Sequence, residues 1–239
     1  METGKTRLLQ GKKAAGIAAA EYVQKDMLVG IGTGSTVAFF IEALAKRCQN
    51  GLKISAIASS RQSARLAEQL GIPLLDDGSV SSVDLTVDGA DEIDDQHQMI
   101  KGGGGALFRE KLLAQASGEM IVIIDETKRV GQLGTRPLPV EIARFCYPST
   151  LQRLAKAGYQ GQLRMESPQQ PFLTDNEGYI VDLHYCSPII HARQEHERLK
   201  SLTGVMETGL FFDVAGRILV GNESGEVKIY PKTRDFNPN

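Results

Sequence analysis

Cysteine is scarce in this chain: Cys48, Cys146 and Cys186 are scattered along 239 residues. An odd count with no CxxC spacing argues against a disulfide framework and a thiol-based metal or redox motif, and it suits a reducing compartment. The ordinary place for such residues is as small buried hydrophobes. Histidine is scarce as well, at four residues. His191 and His196 are five apart, which is off one face of a helix, and no HExxH occurs, so no metal site is expected. An excess of one charge is also missing: 27 Lys and Arg against 29 Asp and Glu leave a net charge of -2. Electrostatics therefore gives no reason to expect nucleic acid or a membrane as partner. The longest uncharged run, 27–41, is glycine-broken and too short to span a bilayer. The alanine-rich patch at 14–20 is bracketed by Lys12, Lys13 and Glu21, and it lacks the bulk of a signal sequence. No repeat or low-complexity tail is present. The expectation is a cytoplasmic globular protein long enough to bury a sizeable core.

Glycine, by contrast, is plentiful at 25 residues, and much of it lies in two loops. The first is Gly30-Ile31-Gly32-Thr33-Gly34-Ser35-Thr36, between a strand over 27–31 and a helix over 37–47. A strand, a glycine-rich turn and a helix start carrying Ser/Thr make an anion site, because the first-turn N–H groups point outward and the helix dipole favours negative charge. A dinucleotide fingerprint would need glycine at position 35 or 37, where Ser35 and Val37 stand. The next strand, 53–58, ends in Ser59-Ser60-Arg61, without the acidic residue that holds a nicotinamide ribose. A Walker loop would need a lysine, and this loop has none. A small phosphate monoester fits better than a dinucleotide or a nucleoside triphosphate. The alternative is a tight turn that binds nothing.

A helix over 5–24 precedes this unit. A helix over 63–70, a short strand over 73–75 and strands over 83–87 and 120–124 follow it. Strands alternating with helices predict a mostly parallel sheet covered on both faces, with ligands beyond the carboxyl ends of the strands. The polar clusters at 33–36, 88–91 and 125–128 each follow a strand directly and are expected on one edge. After Pro137 the rhythm changes. Strands over 140–145, 162–165, 179–185 and 205–210 and helices over 150–157 and 188–202 give the order βαββαβ, a ferredoxin-like arrangement. Residues 217–221 and 226–230 read as a hairpin. The expected fold is α/β: a large Rossmann-like domain over 1–135 and 209–239, and a smaller ferredoxin-like α+β domain over 136–208.

The stretch 83–116 carries the densest chemistry. It holds an acidic turn, Asp88-Gly89-Ala90-Asp91-Glu92, then Lys101, then Gly102, Gly103, Gly104 and Gly105, then a helix bearing Glu110. On that helix the neighbours of Glu110 one turn away are Ala106, Leu107, Leu113 and Ala114, with Arg109 and Lys111 nearer the edges of the apolar arc. A carboxylate centred on a packing face is costly unless it has a partner or a task, and desolvation there makes it a better base near neutral pH. The alternative is a buried salt bridge. Lys101 can neutralise a developing oxyanion, or it can be an ordinary snorkelling lysine. Four consecutive glycines carry a heavy entropic cost and favour the first reading, because they suit a backbone approaching a ligand. Asp88 and Asp91 read as acid/base groups or hydroxyl acceptors, or as an Asx turn with a helix cap. A divalent metal in this acidic cluster, with Glu92, Asp94 and Asp95, is a further option, although the spacing is not that of a calcium loop.

Four blocks together resemble one family. They are Gly32-Thr33-Gly34-Ser35-Thr36; Asp88-Gly89-Ala90-Asp91-Glu92; Lys101-Gly102-Gly103-Gly104-Gly105-Ala106 running to Arg109-Glu110-Lys111; and Asp125-Glu126-Thr127-Lys128 followed by Pro137-Leu138-Pro139-Val140-Glu141. In this order and spacing they are similar to ribose-5-phosphate isomerase, type A. The resemblance implies interconversion of D-ribose 5-phosphate and D-ribulose 5-phosphate in the non-oxidative pentose phosphate pathway, without a cofactor. It implies Glu110 as the base that moves a proton between C1 and C2. Thr33, Gly34, Ser35, Thr36 and Lys128 would hold the phosphate, helped by Lys12. Asp88, Gly89, Ala90, Asp91, Lys101, Gly102, Gly103 and Gly104 would handle the sugar hydroxyls, ring opening and the enediolate oxygen. It also implies a homodimer or homotetramer. One departure is Phe211-Phe212-Asp213-Val214-Ala215-Gly216-Arg217, where many members carry an Asn-Arg-Gly-Ala-Asp-like run. The departure lies outside the four blocks and touches assembly more than catalysis.

Two rivals remain. A non-catalytic sugar-phosphate sensor of a transcription regulator is expected to bring a helix-turn-helix, for which the N-terminal stretch has no spare basic segment, and it leaves Glu110 unexplained. A nicotinamide-linked oxidoreductase is weakened by the failed fingerprint.

Overall fold

The computed structural model of the chain describes residues 2–231, with side chains from residue 8 onward. The elements begin α1 (Glu2–Ala20), β1 (Leu28–Ile31), α2 (Ser35–Gln49), β2 (Ser55–Ala58), α3 (Arg61–Gln69) and β3 (Val83–Asp88). They continue β4 (Glu92–Ile93), β5 (Met99–Ile100), α4 (Leu107–Ala116), β6 (Ser117–Asp125), β7 (Leu138–Ile142), α5 (Tyr147–Lys156) and β8 (Gln160–Leu163). The rest are β9 (Met165–Ser167), β10 (Gln170–Pro171), β11 (Tyr179–His184), α6 (Ala192–Lys200), β12 (Val205–Thr208), β13 (Leu210–Phe211), β14 (Ile218–Gly221) and β15 (Val227–Tyr230).

By internal contacts the chain divides into two units. The first takes in the chain up to Ala90, Arg109–Arg129 and the chain from Asp213. Its six-stranded sheet has the order β15-β14-β6-β3-β1-β2. All neighbours are parallel except the edge strand β15. The core of β6 is buried without alternation, from Met120 through Ile124, as expected of a parallel strand covered on both faces. Ile121 and Ile123 pack with Val37, Phe40, Ile41 and Leu44 of α2. Leu113 of α4 packs with Ile57 and Val83 in a separate cluster. The alanine-rich patch has a packing reason. A Cβ on Gly16 would come 2.8 Å from the Phe40 nitrogen and 2.9 Å from Phe39 Cβ, so α1 and α2 approach closer than larger side chains allow. The helix ends at Ala20, short of the expected 24: the next N–H groups, of Glu21, Tyr22 and Val23, bond three residues back, and the left-handed Asp26 turns the chain.

The second unit comprises Asp91–Phe108 and Val130–Phe212. Its four-stranded antiparallel sheet has the order β12-β7-β11-β8. Counting only these four strands, that is the 4-1-3-2 order of a ferredoxin-like sheet, with α5 and α6 contributing Leu154 and Leu199 to its core. Residues 91–108, 130–135 and 209–212, expected in the large domain, fall in this unit. Here β4 and β5 pair with each other, and β5 pairs with β13, in a three-stranded ribbon apart from the parallel sheet.

Several strand boundaries differ from expectation: β8 spans Gln160–Leu163 rather than 162–165, β6 spans Ser117–Asp125 rather than 120–124, and the short strand expected over 73–75 is a single bridge from Leu74 to Ala56. The strand over 140–145 instead spans Leu138–Ile142, and Phe145 is 87% exposed. Pro139 is tolerated because its polar edge faces past the end of β12, where its carbonyl accepts the Gly209 N–H at 2.7 Å. The strand over 205–210 is split at Gly209, where the chain leaves the four-stranded sheet for the ribbon. A Cβ on Gly209 would lie 2.3 Å from the Lys101 carbonyl.

Candidate active site

In the first unit, β1 connects outward to β2, whereas β3 connects toward β6 on the other side. Between two such strands a crevice opens at their carboxyl ends, the usual ligand position in sheets of this order. The loops after β1 and β3 flank it and are tied together. Asp88, fully buried, accepts the Thr33 N–H at 3.0 Å and the Gly89 N–H at 2.7 Å through the same oxygen, Oδ1. Gly32 makes room: a Cβ there would sit 2.1 Å from Asp88 Cγ. The Thr33 hydroxyl lies 2.8 Å from the Ser59 hydroxyl, and the Ser63 hydroxyl donates to the Gly32 carbonyl at 2.7 Å. Ser59 and Ser63, which no motif in the sequence marks, thus shape the loop from β2 and α3.

Gly34 stands at the N-cap of α2 with φ 127° and no side-chain cap. Gly34 and Ser35 are exposed while Thr36 and Val37 are buried, so the very start of α2 is open to an anion. Lys12 Nζ donates to the Ser35 hydroxyl at 3.1 Å, which places a cation from α1 beside that turn. Lys128 ends a single 3₁₀ turn directly after β6, whose N-cap Asp125 accepts the Thr127 N–H at 3.0 Å. The polar clusters after β1, β3 and β6 all leave carboxyl ends of parallel strands.

In the second unit, the Asp91 N–H donates to Ile100 at 2.8 Å, and Asp91 Oδ2 accepts the Gly103 N–H at 2.7 Å. Asp88 and Asp91 therefore serve different loops. Lys101 is 2% exposed. Its N–H donates to the Gly209 carbonyl at 2.9 Å, and its ammonium lies 5.6 Å from the centre of the Phe211 ring. The other acidic residues of this stretch organise loops. The buried Glu92 carboxylate accepts the N–H groups of Gly134 at 2.7 Å and Arg136 at 2.5 Å, and the Thr135 hydroxyl. Asp94 Oδ1 accepts from Gln96 at 2.9 Å and Gln98 at 2.8 Å, while burial raises its pKa.

Glu110 lies in the first turn of α4 and is 3% exposed. Ala106, Leu107, Leu113 and Ala114 are buried along with it, so this carboxylate does occupy a packing face. Lys111 is buried too, although its position had suggested an edge.

These observations meet a consistent set of relatives. The family model for ribose 5-phosphate isomerase A (phosphoriboisomerase A) matches residues 55–225. A ribose-5-phosphate isomerase A of Protochlamydia amoebophila is 53% identical over 95% of this chain and 98% of its own. The solved structure of ribose 5-phosphate isomerase from Plasmodium falciparum superposes with a TM-score of 0.87 at 37% identity, covering 95% of this chain and 100% of that one. A D-ribose-5-phosphate isomerase solved in complex with phospho-erythronic acid gives 0.86 at 33% identity, over 92% and 97%. These relatives lend the sensor alternative no support. With a match of this extent in sequence and in fold, the chain belongs to the ribose 5-phosphate isomerase A family.

Proposed function

We propose that this protein interconverts D-ribose 5-phosphate and D-ribulose 5-phosphate, with Glu110 as the base. The observation that carries the reading is membership of the isomerase family along nearly the whole chain. In the open-chain aldose, Glu110 takes the proton from C2. The C2–H electron pair forms a C1–C2 double bond, and the C1 carbonyl oxygen becomes the enediolate oxygen. A proton passes from the C2 hydroxyl to O1, and protonated Glu110 returns its proton to C1, leaving a C2 ketone. A positioned base contributes roughly 10²–10⁴-fold.

Lys101, a buried cation, is assigned to the developing oxyanion, where removal of one donor typically costs about 10²–10³ in kcat. Asp88, Gly89, Ala90 and Asp91, with Gly102, Gly103 and Gly104, are assigned to the sugar hydroxyls and ring opening. Thr33, Gly34, Ser35 and Thr36 hold the phosphate, supported by the uncapped start of α2 and by Lys12 beside Ser35. Lys128 is assigned to the same phosphate. Phosphate binding remote from C1 and C2 supplies energy for positioning. The place of such a reaction is the non-oxidative pentose phosphate pathway.

We also assign the chain to the cytoplasm and to a homodimer or homotetramer. The first rests on three free thiols, two of them exposed; the second rests on the family resemblance. Among the described residues no helix is long and apolar enough to cross a membrane.

The test is incubation with ribose 5-phosphate in the presence of a chelator and no added cofactor, with assay for ketose. Ketose formation supports the reading. No ketose in any buffer sinks it, and ketose only after a divalent ion is returned sinks its metal-free form. Phospho-erythronic acid, a four-carbon phosphorylated acid with a carboxylate at C1, is expected to compete with the substrate.

A further inference from the structure

The four glycines after Lys101 present a conformational problem. Gly102 and Gly105 have left-handed φ values of +104° and +80°. A glycine run loses more backbone freedom on ordering than any other sequence, and it has no side chains with which to hold its own shape. One turn bond within the run, from the Gly105 N–H to the Gly102 carbonyl at 2.9 Å, supplies part of the order; further order comes from groups outside the run that grip its backbone.

Arg164, just beyond β8, is such a group. Its Nη1 donates to the Gly102 carbonyl at 3.0 Å and to the Gly103 carbonyl at 3.1 Å. Its other edge is clamped by Asp182 of β11, with Nε on Oδ2 at 2.8 Å and Nη2 on Oδ1 at 2.5 Å. Both side chains are largely buried, at 18% and 23% exposed. The planar guanidinium is suited to this task, because it offers a two-pronged carboxylate contact and still has donors left over.

The backbone around Arg164 fixes it further. Its N–H donates to Ile180 at 2.8 Å, and its carbonyl accepts the Phe172 N–H at 2.9 Å. The Phe172 ring occupies the space beside Gly105, where an added Cβ would meet Cε1 at 2.4 Å. The Gly102 carbonyl held by Arg164 shares its peptide plane with the Gly103 N–H, which donates to Asp91 Oδ2 at 2.7 Å. A continuous chain therefore runs from Asp182 through Arg164 and the Gly102–Gly103 peptide to Asp91. Hydrogen bonds in series polarise and orient one another.

We propose that Arg164, clamped by Asp182, is a positioning residue that sets the glycine run and, through its Gly102–Gly103 peptide, the carboxylate of Asp91. The consequence for catalysis rests on the proposed role of Asp91, Lys101 and the glycines in sugar binding; the bracing itself does not.

The test compares wild type with Arg164→Ala, Arg164→Lys and Asp182→Asn. In both Arg164 variants kcat is expected to fall on the order of 10²-fold, the scale of a misplaced site, with KM changed far less. Lysine keeps the charge but not the fork, so an Arg164→Lys enzyme equal to wild type overturns the proposal. Millimolar guanidinium is expected to restore part of the kcat of Arg164→Ala while leaving wild type unaffected. Amide hydrogen exchange over 101–106 is expected to accelerate in Arg164→Ala and, less, in Asp182→Asn, while exchange over 120–124 stays as in wild type. Unchanged exchange over 101–106, or loss of activity only in step with global unfolding, overturns it. If wild type makes no ketose from ribose 5-phosphate, the isomerase reading fails, and the exchange measurement still decides the bracing.

Discussion

Asp88 accepts the backbone N–H of Thr33 at 3.0 Å across 55 residues of sequence. One carboxylate oxygen thereby joins the loop after β1 to the turn after β3, at the point where the connections of the sheet diverge. The contact depends on a side chain that is absent, because Gly32 leaves the space Asp88 fills.

Gly32→Ala is therefore expected to damage both stability and binding. Its Cβ would sit 2.1 Å from Asp88 Cγ, so the carboxylate or the loop must move. Overpacking of this kind costs about 1–3 kcal/mol. Denaturant unfolding should show that loss, and KM for ribose 5-phosphate should rise as the loop assigned to the phosphate shifts. Wild-type stability together with wild-type KM would contradict the geometry.

Glu110→Gln preserves size and polarity but cannot accept the C2 proton. The expected outcome is a fall in kcat of at least roughly 10²–10⁴-fold, the contribution of a positioned base, with substrate binding close to wild type. Steady-state kinetics and direct binding by calorimetry check this. Near-normal turnover would remove Glu110 as the base.

Lys128→Ala and Lys12→Ala are expected to act on the phosphate end. KM should rise in each, with kcat affected less, since the phosphate is bound in ground and transition states alike. The Lys12 effect should weaken at high salt, because its contact with Ser35 is at the surface. An unchanged KM in the Lys128 variant would argue against a phosphate contact there.

Alkaline pH is expected to weaken the second unit. Burial, and then its hydrogen bond to Glu195 at 2.7 Å, raise the Tyr185 pKa strongly. Burial and the nearby Glu195 charge push Tyr159 up to about 12. The folded state thus favours the protonated phenols. Their contribution is fully present below the unfolded tyrosine pKa of about 10 and is lost as pH rises above it. Tyr185→Phe should cost about 1 kcal/mol at neutral pH through the lost hydrogen bond, and it should flatten the decline of stability above pH ~10. Denaturant midpoints at neutral and alkaline pH measure this. Parallel declines in variant and wild type would show that Tyr185 is not responsible.

Much of this was legible in the sequence, for local reasons. The strand, glycine turn and helix start over 28–36 could be read because they lie within a few residues of one another. Glu110 could be read because helical spacing alone surrounds it with Ala106, Leu107, Leu113 and Ala114. The βαββαβ order of the second unit followed from the periodicity of its segments. Other features gave no local signal. Glu92 and Asp94 read as candidate metal ligands, yet both Glu92 oxygens and Asp94 Oδ1 accept from loop donors, one of them 42 residues away. Residues 91–108 read as part of the large domain, because nothing nearby in the sequence shows that β5 pairs with β13.

By itself the sequence determined the chemistry available: which carboxylates, lysines and glycines follow which strands, and the family they resemble. Those properties depend on neighbours along the chain, within reach of helix and strand periodicity. Only the tertiary structure decided how the loops are held. Asp88 grips Thr33, Lys12 meets Ser35, and Arg164 with Asp182 holds Gly102 and Gly103 across about sixty residues. Such contacts depend on strand order and register, and these are fixed by packing of the whole chain rather than by any stretch of it.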